Sequence, residues 1–251
     1  MVRRKLSLVG LLLASCAPAP SPPAPPPVVA TPPSPVAMTA VASQGPTPGP
    51  KEPPDYPLCV PQMYDEEPGQ HGRFAFLDDA TDRVGFRDAE GQVVIPPRFR
   101  HAYAFSREGM AAVIDEDGPA FIRIDGSTIA RAFFYDNGPD YLTEDRVRIV
   151  DAAARVGFID GQGHEVVAPR YDYASSFCHG RAAVCRGCVR EEGEHAEVHG
   201  GRWGFIDRQG REVVGLRYDG VIERYDESGV AVVERAGQRL RIDRDGRPIA
   251  P

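Results

Sequence analysis

Fourteen residues, GRWGFIDRQGREVV at 201–214, occur a second time as ARVGFIDGQGHEVV at 154–167, identical at ten positions and separated by 47 residues. That repetition limits the possible folds more than composition does, because every copy must adopt the same local structure. Anchored on the glycine of Gly-Phe, the units read RVGFRDAEGQVVIPPRF (83–99), RVGFIDGQGHEVVAPRY (155–171) and RWGFIDRQGREVVGLRY (202–218). Two degenerate copies follow the same frame: PAFIRIDGSTIARAF (119–133), with Ala120 at the anchor, and QRLRIDRDGRPIAP (238–251), with Leu240. Successive anchors are 35, 37, 47 and 36 residues apart. A period of this size marks a repeat architecture, in which single units cannot bury their apolar faces and must stack on their neighbours.

Each unit reads as strands. Side chains from Trp203 to Asp207 alternate, with Trp203 and Phe205 on one face and Gly204 and Ile206 on the other. The tetrapeptides DAEG, DGQG, DRQG and DRDG place an aspartate at the start of a turn and a glycine at its close, a type I turn followed by a residue that tolerates positive φ. A β-rich run (QVVI, EVV) comes next, so the pair forms a hairpin. The following PPRF and APRY are expected to end the strand, since proline has no amide donor. Glycine inside the first strand weakens it, and is expected where another backbone or a ring from the adjacent unit lies against it. Each full unit also has a second half, AFSREGMAAVI, SFCHGRAAVC or RYDESGVAVVE. The fold class is therefore all-β: tandem antiparallel hairpin repeats stacked into a solenoid-like or curved array, with no long helix.

The Trp-Gly-Phe-Ile-Asp core with its trailing Gly, Val-Val and Pro-x-Tyr resembles the WG repeat family of bacterial β-repeat proteins, over most of 73–251. Only Trp203-Gly204 carries the eponymous pair; Val84-Gly85 and Val156-Gly157 stand in the other full copies. The resemblance implies a repeat scaffold, common on secreted or envelope proteins, with Gly85, Gly157, Trp203, Gly204 and Phe205 in the repeat core. It implies no shared catalytic residues and no cofactor.

The N-terminus indicates a cellular address. Arg3, Arg4 and Lys5 precede the apolar run LSLVGLLLAS, which is too short to span a bilayer as a mature helix. The pattern is that of a secretory signal peptide. Its end, LASC, resembles a bacterial lipobox, in which Cys16 is lipidated and becomes the new N-terminus. Ala17 follows rather than Asp, which by the same resemblance favours the outer membrane. Fifteen of the 25 prolines fall between Ala17 and Pro54, where Lys51 and Glu52 are the only charges. Such a segment has too few large apolar groups to offset the entropy of folding. It is expected to be an extended tether with up to about 100 Å of reach. The chain thus divides into a lipoprotein signal peptide (1–15), the lipidated cysteine and Pro-rich linker (16–55) and the repeat domain (56–251). Loss of the leader takes the formal net charge from −7 to −10. An acidic domain is not expected to bind nucleic acid or anionic lipid surfaces, which call for basic patches.

Residues present in every copy serve the fold: the turn aspartates Asp88, Asp160, Asp207 and Asp243 are expected to cap turns rather than hold calcium, since no unit supplies the acidic twelfth ligand of an EF-hand-like loop. Trp203, Tyr171 and Tyr218 are expected to pack. Function is sought where the copies differ, and the largest difference is the 47-residue spacing. Its insertion, CRGCVREEGEHAEVHGG at 185–201, crowds Cys178, Cys185 and Cys188 with His179, His195 and His199. Three chemistries fit: disulfides, a metal site of Cys185, Cys188, His195 and His199, or a redox Cys-x-x-Cys, which needs a strand-to-helix context this repeat does not offer. With Cys16 lipidated, four cysteines remain in an oxidising compartment. The favoured pairing is Cys185 with Cys188 and Cys59 with Cys178. No nucleophile elbow, Walker-type phosphate loop, H-E-x-x-H or dinucleotide motif is present. The expectation is a lipid-anchored envelope protein, not an enzyme, whose repeats bind an envelope protein or a cell-wall component. The alternative is a metal-dependent or hydrolytic envelope protein using 178–199.

Overall fold

The computed structural model describes residues 68–135, 138–191 and 197–250. The expected leader and tether, and residues 56–67 of the repeat domain, lie outside the described residues. After one 3-10 turn (Gln70–Gly72), all regular elements are strands: β1 (Phe74–Asp78), β2 (Arg83–Arg87), β3 (Val93–Phe99), β4 (His101–Ala102), β5 (Met110–Asp115), β6 (Gly118–Arg123), β7 (Thr128–Ala132), β8 (Phe134–Tyr135), β9 (Gly138–Pro139), β10 (Val147–Val150), β11 (Val156–Ile159), β12 (Glu165–Tyr171), β13 (Tyr173–Ala174), β14 (Arg181–Arg190), β15 (Val198–Asp207), β16 (Glu212–Tyr218), β17 (Gly220–Glu223), β18 (Ala231–Arg235) and β19 (Gln238–Ile242). Every pairing is antiparallel, and the chain runs through five meanders: β1–β3, β4–β7, β10–β12, β13–β16 and β17–β19. The second and third are joined into one sheet by two residue pairs between β7 and β10, while β8 and β9 pair apart.

The meanders do not coincide with the repeats of the sequence. The second half of one copy pairs with the Gly-Phe strand of the next: Ala183 faces Phe205, and Ala112 faces Phe121. Each copy therefore contributes strands to two successive meanders, and hydrogen bonds as well as apolar contacts tie neighbours together.

Strand alternation then sends side chains to opposite sides. On β14, Ala182 and Val184 enter the core shared with the third meander, while Ala183 and Cys185 enter the core shared with the fifth. On β15, Ile206 goes one way and Trp203 and Phe205 the other, as the alternation requires. Equivalent cores lie between the first and second meanders around Phe86, Phe99 and Phe105, and between the second and third around Phe121, Val147 and Ile149. Each fully buried ring, such as Phe158 or Phe205, contributes about 2–3 kcal/mol by removal from water. The central meanders are thus packed on both faces, and the expected stacking is present.

The anchor glycine has a specific cause. Val156 pairs with Tyr171 and Phe158 with Val167, so Gly157 alone faces three residues of β12, a bulge. A Cβ on Gly157 would stand 2.4 Å from the Val167 carbonyl oxygen; on Gly204 it would stand 2.3 Å from that of Val214, and on Gly85 2.6 Å from that of Ile95. The close backbone belongs to the partner strand of the same hairpin, not to an adjacent unit. The bulge also corrects the expectation that proline ends the strand. Pro96, Pro97 and Pro169 lie inside β3 and β12, which continue to Phe99 and Tyr171. Bulged residues are left out of the ladder, so a missing amide costs little there. The degenerate copies follow from the same geometry. Ala120 pairs directly with Arg131, with no three-residue bulge opposite it, and Leu240 lies on β19, the edge of its sheet.

The turns are capped as expected. Oδ1 of Asp207 accepts from the amides of Gln209 and Arg211 at 3.0 Å each, and Asp160 and Asp243 repeat the pattern. The closing glycines also dock onto the preceding meander: Gly126 faces Ile95, Gly163 faces Ile129, Gly210 faces Val167 and Gly246 faces Val214. At three of these joints an arginine of the preceding copy donates to the glycine carbonyl: Arg98 to Gly126, Arg170 to Gly210 and Arg217 to Gly246. Each guanidinium also lies over its neighbouring ring, Phe99, Tyr171 or Tyr218.

Candidate interaction site

The 47-residue spacing is absorbed by lengthening one hairpin. β14 and β15 are ten residues each, and their register runs without a shift from Arg181 opposite Asp207 to Arg190 opposite Val198. The flanking strands stop short. β13 reaches only Cys185, and β16 reaches only Trp203. Beyond them, Arg186 to Arg190 and Val198 to Arg202 form a two-stranded ribbon with no further strand on either edge among the described residues.

An isolated two-stranded ribbon is marginally stable in water, so its base must be braced. Cys185 and Cys188 form a disulfide within β14. The two residues between them are Arg186, which lies over the Tyr171 ring, and Gly187, whose amide donates to Oδ2 of Asp172. Opposite, a Cβ on Gly201 would meet Cys188 N at 2.5 Å and the Cys185 sulfur at 2.7 Å, so no other side chain fits beside the bond. Trp203 closes the base from β15: its ring is packed edge-on to Tyr173 and its indole N–H donates to the Gly200 carbonyl at 3.0 Å. Further out, Arg190 lies over Phe133, and Arg202 pairs with Asp219.

The candidate residues can now be placed. Trp203, Phe205, Tyr171 and Tyr218 are packed in cores. Cys185 and Cys188 are bonded to each other. Cys178 is also disulfide-bonded; its expected partner Cys59 lies outside the described residues, as does lipidation at Cys16. The metal set is corrected on chemical grounds. A metal ligand is a thiolate, and both sulfurs of the set are consumed by the disulfide. Of its histidines, His195 lies outside the described residues, and His199 Nε2 is engaged by Glu191 at 2.9 Å. The redox alternative lacks its context, since Cys185 to Cys188 lie within a strand. His179 stands away from this group, in a tight turn where its carbonyl accepts from Arg244. Sequence reasoning missed Val189, which is 67% exposed on the ribbon, and the glycines Gly187 and Gly201 that shape its base. The clustering of glycine and cysteine in an insertion was the available signal.

Residues 85–117, 157–187 and 203–237 match the family model described as WG containing repeat. Three copies of the array are WG repeats. Each matched span begins at or beside an anchor glycine and runs through the second half of the copy, so the family's unit follows the sequence repeat and straddles two meanders. The WG-repeat spans leave out Ala120 and Leu240, the two degenerate anchors. A search of curated proteins returns no match for the chain.

Proposed function

We propose that this chain is a membrane-tethered interaction module of the bacterial envelope: lipidated at Cys16, carried on the Pro-rich linker, and using the β14–β15 ribbon as its contact surface. One observation carries the reading. Whatever the WG copies share is used to make and join meanders, whereas the ribbon departs from that frame and, among the described residues, leaves two strand edges without strand partners. Exposed strand edges are templates for adding a further strand, and most proteins blunt them. Here the base is braced by a disulfide and aromatic packing, so little ordering entropy is left to lose on binding. An extended segment of an envelope protein is the partner this surface fits, with a cell-wall component as the other outcome. The leader and lipobox-like LASC support the address.

The test is a photoreactive side chain placed at residue 189 in intact cells. A discrete protein adduct, abolished when the probe at residue 189 is combined with the strand-breaking His199→Pro on the paired strand and not seen with the probe at Arg241, is expected. A wall-polymer adduct would replace the protein partner, and equal labelling at both positions overturns the ribbon as the surface. Separately, Cys16→Ser is expected to move the protein from the membrane to the soluble fraction; retention on the membrane overturns the anchor.

A further inference from the structure

Arg186 and Arg190 are both exposed and lie four residues apart on β14, in the part of the strand that belongs to the ribbon. Both guanidinium groups are held in place. That of Arg186 lies 5.4 Å from the centroid of the Tyr171 ring, and that of Arg190 lies 5.0 Å from the centroid of Phe133. Both rings are buried in the core that the third and fourth meanders share, so the two cations are directed to the same side. Each ring also carries an arginine of the array, Arg170 over Tyr171 and Arg148 over Phe133.

This concentration of cations stands on a chain whose formal net charge is −7, yet the neighbouring carboxylates are engaged elsewhere. Asp140 holds Arg148, Asp172 accepts from the Gly187 amide, and Glu212 accepts from the Tyr171 hydroxyl. Glu191 and Glu197 face His199, and Asp219 pairs with Arg202. Among the described residues, neither Arg186 nor Arg190 has a carboxylate partner.

We propose that Arg186 and Arg190 set the specificity of the ribbon, and that its partner is an extended acidic peptide segment with two carboxylates four residues apart. This rests on the ribbon being the contact surface, as proposed above. A guanidinium lying over a ring keeps its planar N–H fork for a carboxylate, and the ring contact has already restricted its rotamers. Four residues of a strand rise about 13 Å. A strand added to the ribbon rises equally, so carboxylates at that spacing meet both forks, whereas adjacent carboxylates point to opposite faces and meet only one. A polyanion without a peptide backbone would satisfy the arginines but not the strand edge.

The experiment extends the photoreactive probe at residue 189 in intact cells. The labelled segment of the adduct is mapped, then synthesised in two forms, one with its carboxylates and one with amides in their place. Both are titrated against the purified full chain by fluorescence anisotropy. A segment with carboxylates four residues apart is expected, and the acidic form should bind about a hundredfold more tightly, about tenfold for each charge-assisted pair. That preference should vanish in Arg186→Gln/Arg190→Gln. Because glutamine also gives up the ring contacts, lysine at both positions is the second variant: it keeps a cation beside each ring, loses the fork, and should retain a preference of about tenfold. Arg87→Gln, which removes an arginine lying over Phe76 in the first meander, should leave the preference unchanged. A segment without paired carboxylates, a wall-polymer adduct, or a preference that survives glutamine at both positions overturns the proposal, and so does an equal loss in Arg87→Gln. If a protein is labelled from residue 189 with equal yield whether or not the two arginines are present, the ribbon stands and this inference fails; if nothing is labelled, both fail.

Discussion

Replacing Gly204 by alanine adds one methyl group, and the structure sets what that methyl costs. Its Cβ would stand 2.3 Å from the Val214 carbonyl oxygen and 2.8 Å from the carbonyl carbon of Gly215. Both are backbone atoms, so no rotamer change relieves the overlap. Either β16 moves about 1 Å off β15, disturbing the pairs Trp203–Tyr218 and Phe205–Val214, or the bulge is expelled. Overpacking of a buried site costs about 1–3 kcal/mol and more where nothing yields. Against this, Gly→Ala returns about 0.4–1 kcal/mol by restricting the unfolded chain. With the overpacking cost at the top of its range because only backbone is met, the net expectation is a loss of about 2–2.6 kcal/mol, a fall in Tm of roughly 4–10 °C for a domain of this size. The control is Gly215→Ala, eleven positions on, where no atom lies within 4 Å of the added Cβ; it should leave stability unchanged or raise it by up to about 1 kcal/mol. Urea unfolding followed by Trp203 fluorescence measures both. If the Gly204 variant unfolds within about 0.5 kcal/mol of the parent, the close approach across the bulge is not what selects glycine at the anchor.

Three further outcomes follow. Asp207 loses some preference for its charged form through burial, but the amides of Arg211 and Gln209 and the Arg211 side chain outweigh this and hold its carboxyl below the ordinary value. Its contribution is therefore present above about pH 4 and lost as pH falls through the folded value, so Asp207→Asn should flatten the loss of urea resistance between about pH 5 and about pH 3. Arg148 and Asp140 are almost wholly buried and joined through two guanidinium nitrogens. Arg148→Met alone should cost about 3–5 kcal/mol, and adding Asp140→Leu should recover most of it, because the penalty is the uncompensated charge. Arg217→Ala removes the 2.8 Å bond to the Gly246 carbonyl and the contact with Tyr218. It should cost about 1–2 kcal/mol and raise amide exchange selectively in the last meander.

Strands and turns were legible because their causes are local. Alternation at Trp203 to Ile206 and an aspartate three residues before each closing glycine act within a few residues, so a pattern suffices. What was not legible depends on distant partners. The prolines of β3 and β12 read as strand ends, since the bulge that tolerates them is visible only once Gly85 and Gly157 are seen opposite. The pairing frame was not legible, since periodicity does not say whether a second half pairs back onto its own copy or forward onto the next. The clamps of Arg98, Arg170 and Arg217 could have been noticed: the same arginine stands in every full copy, and Ala132 replaces it in the degenerate copy at 119–133. At the candidate site the Cys185–Cys188 bond was legible from proximity. The ribbon was not, because an insertion has no second copy to be compared with.

The interlocked frame makes a prediction that complete, independently stacked hairpins would not. Excising 202–218 removes most of β15 and all of β16. β14 then loses its central partner, Trp203 and Phe205 leave the core of the fifth meander, and the joint between Arg217 and Gly246 disappears. The remainder should lose cooperative unfolding from the third meander onward. Excising 158–204 removes more chain, 47 residues against 17, yet it is one full period. Gly157 is then followed by Phe205, β10 acquires a complete Gly-Phe strand, and β16 with its bulge, its arginine and its docked glycine follows in register. The longer deletion should fold cooperatively with one meander fewer, while the shorter should not, as read by the sharpness of thermal unfolding in circular dichroism. If the 17-residue excision melted as sharply as the parent, strands would not be shared between copies, and the hydrogen bonds assigned across the repeat boundary would have to be given up.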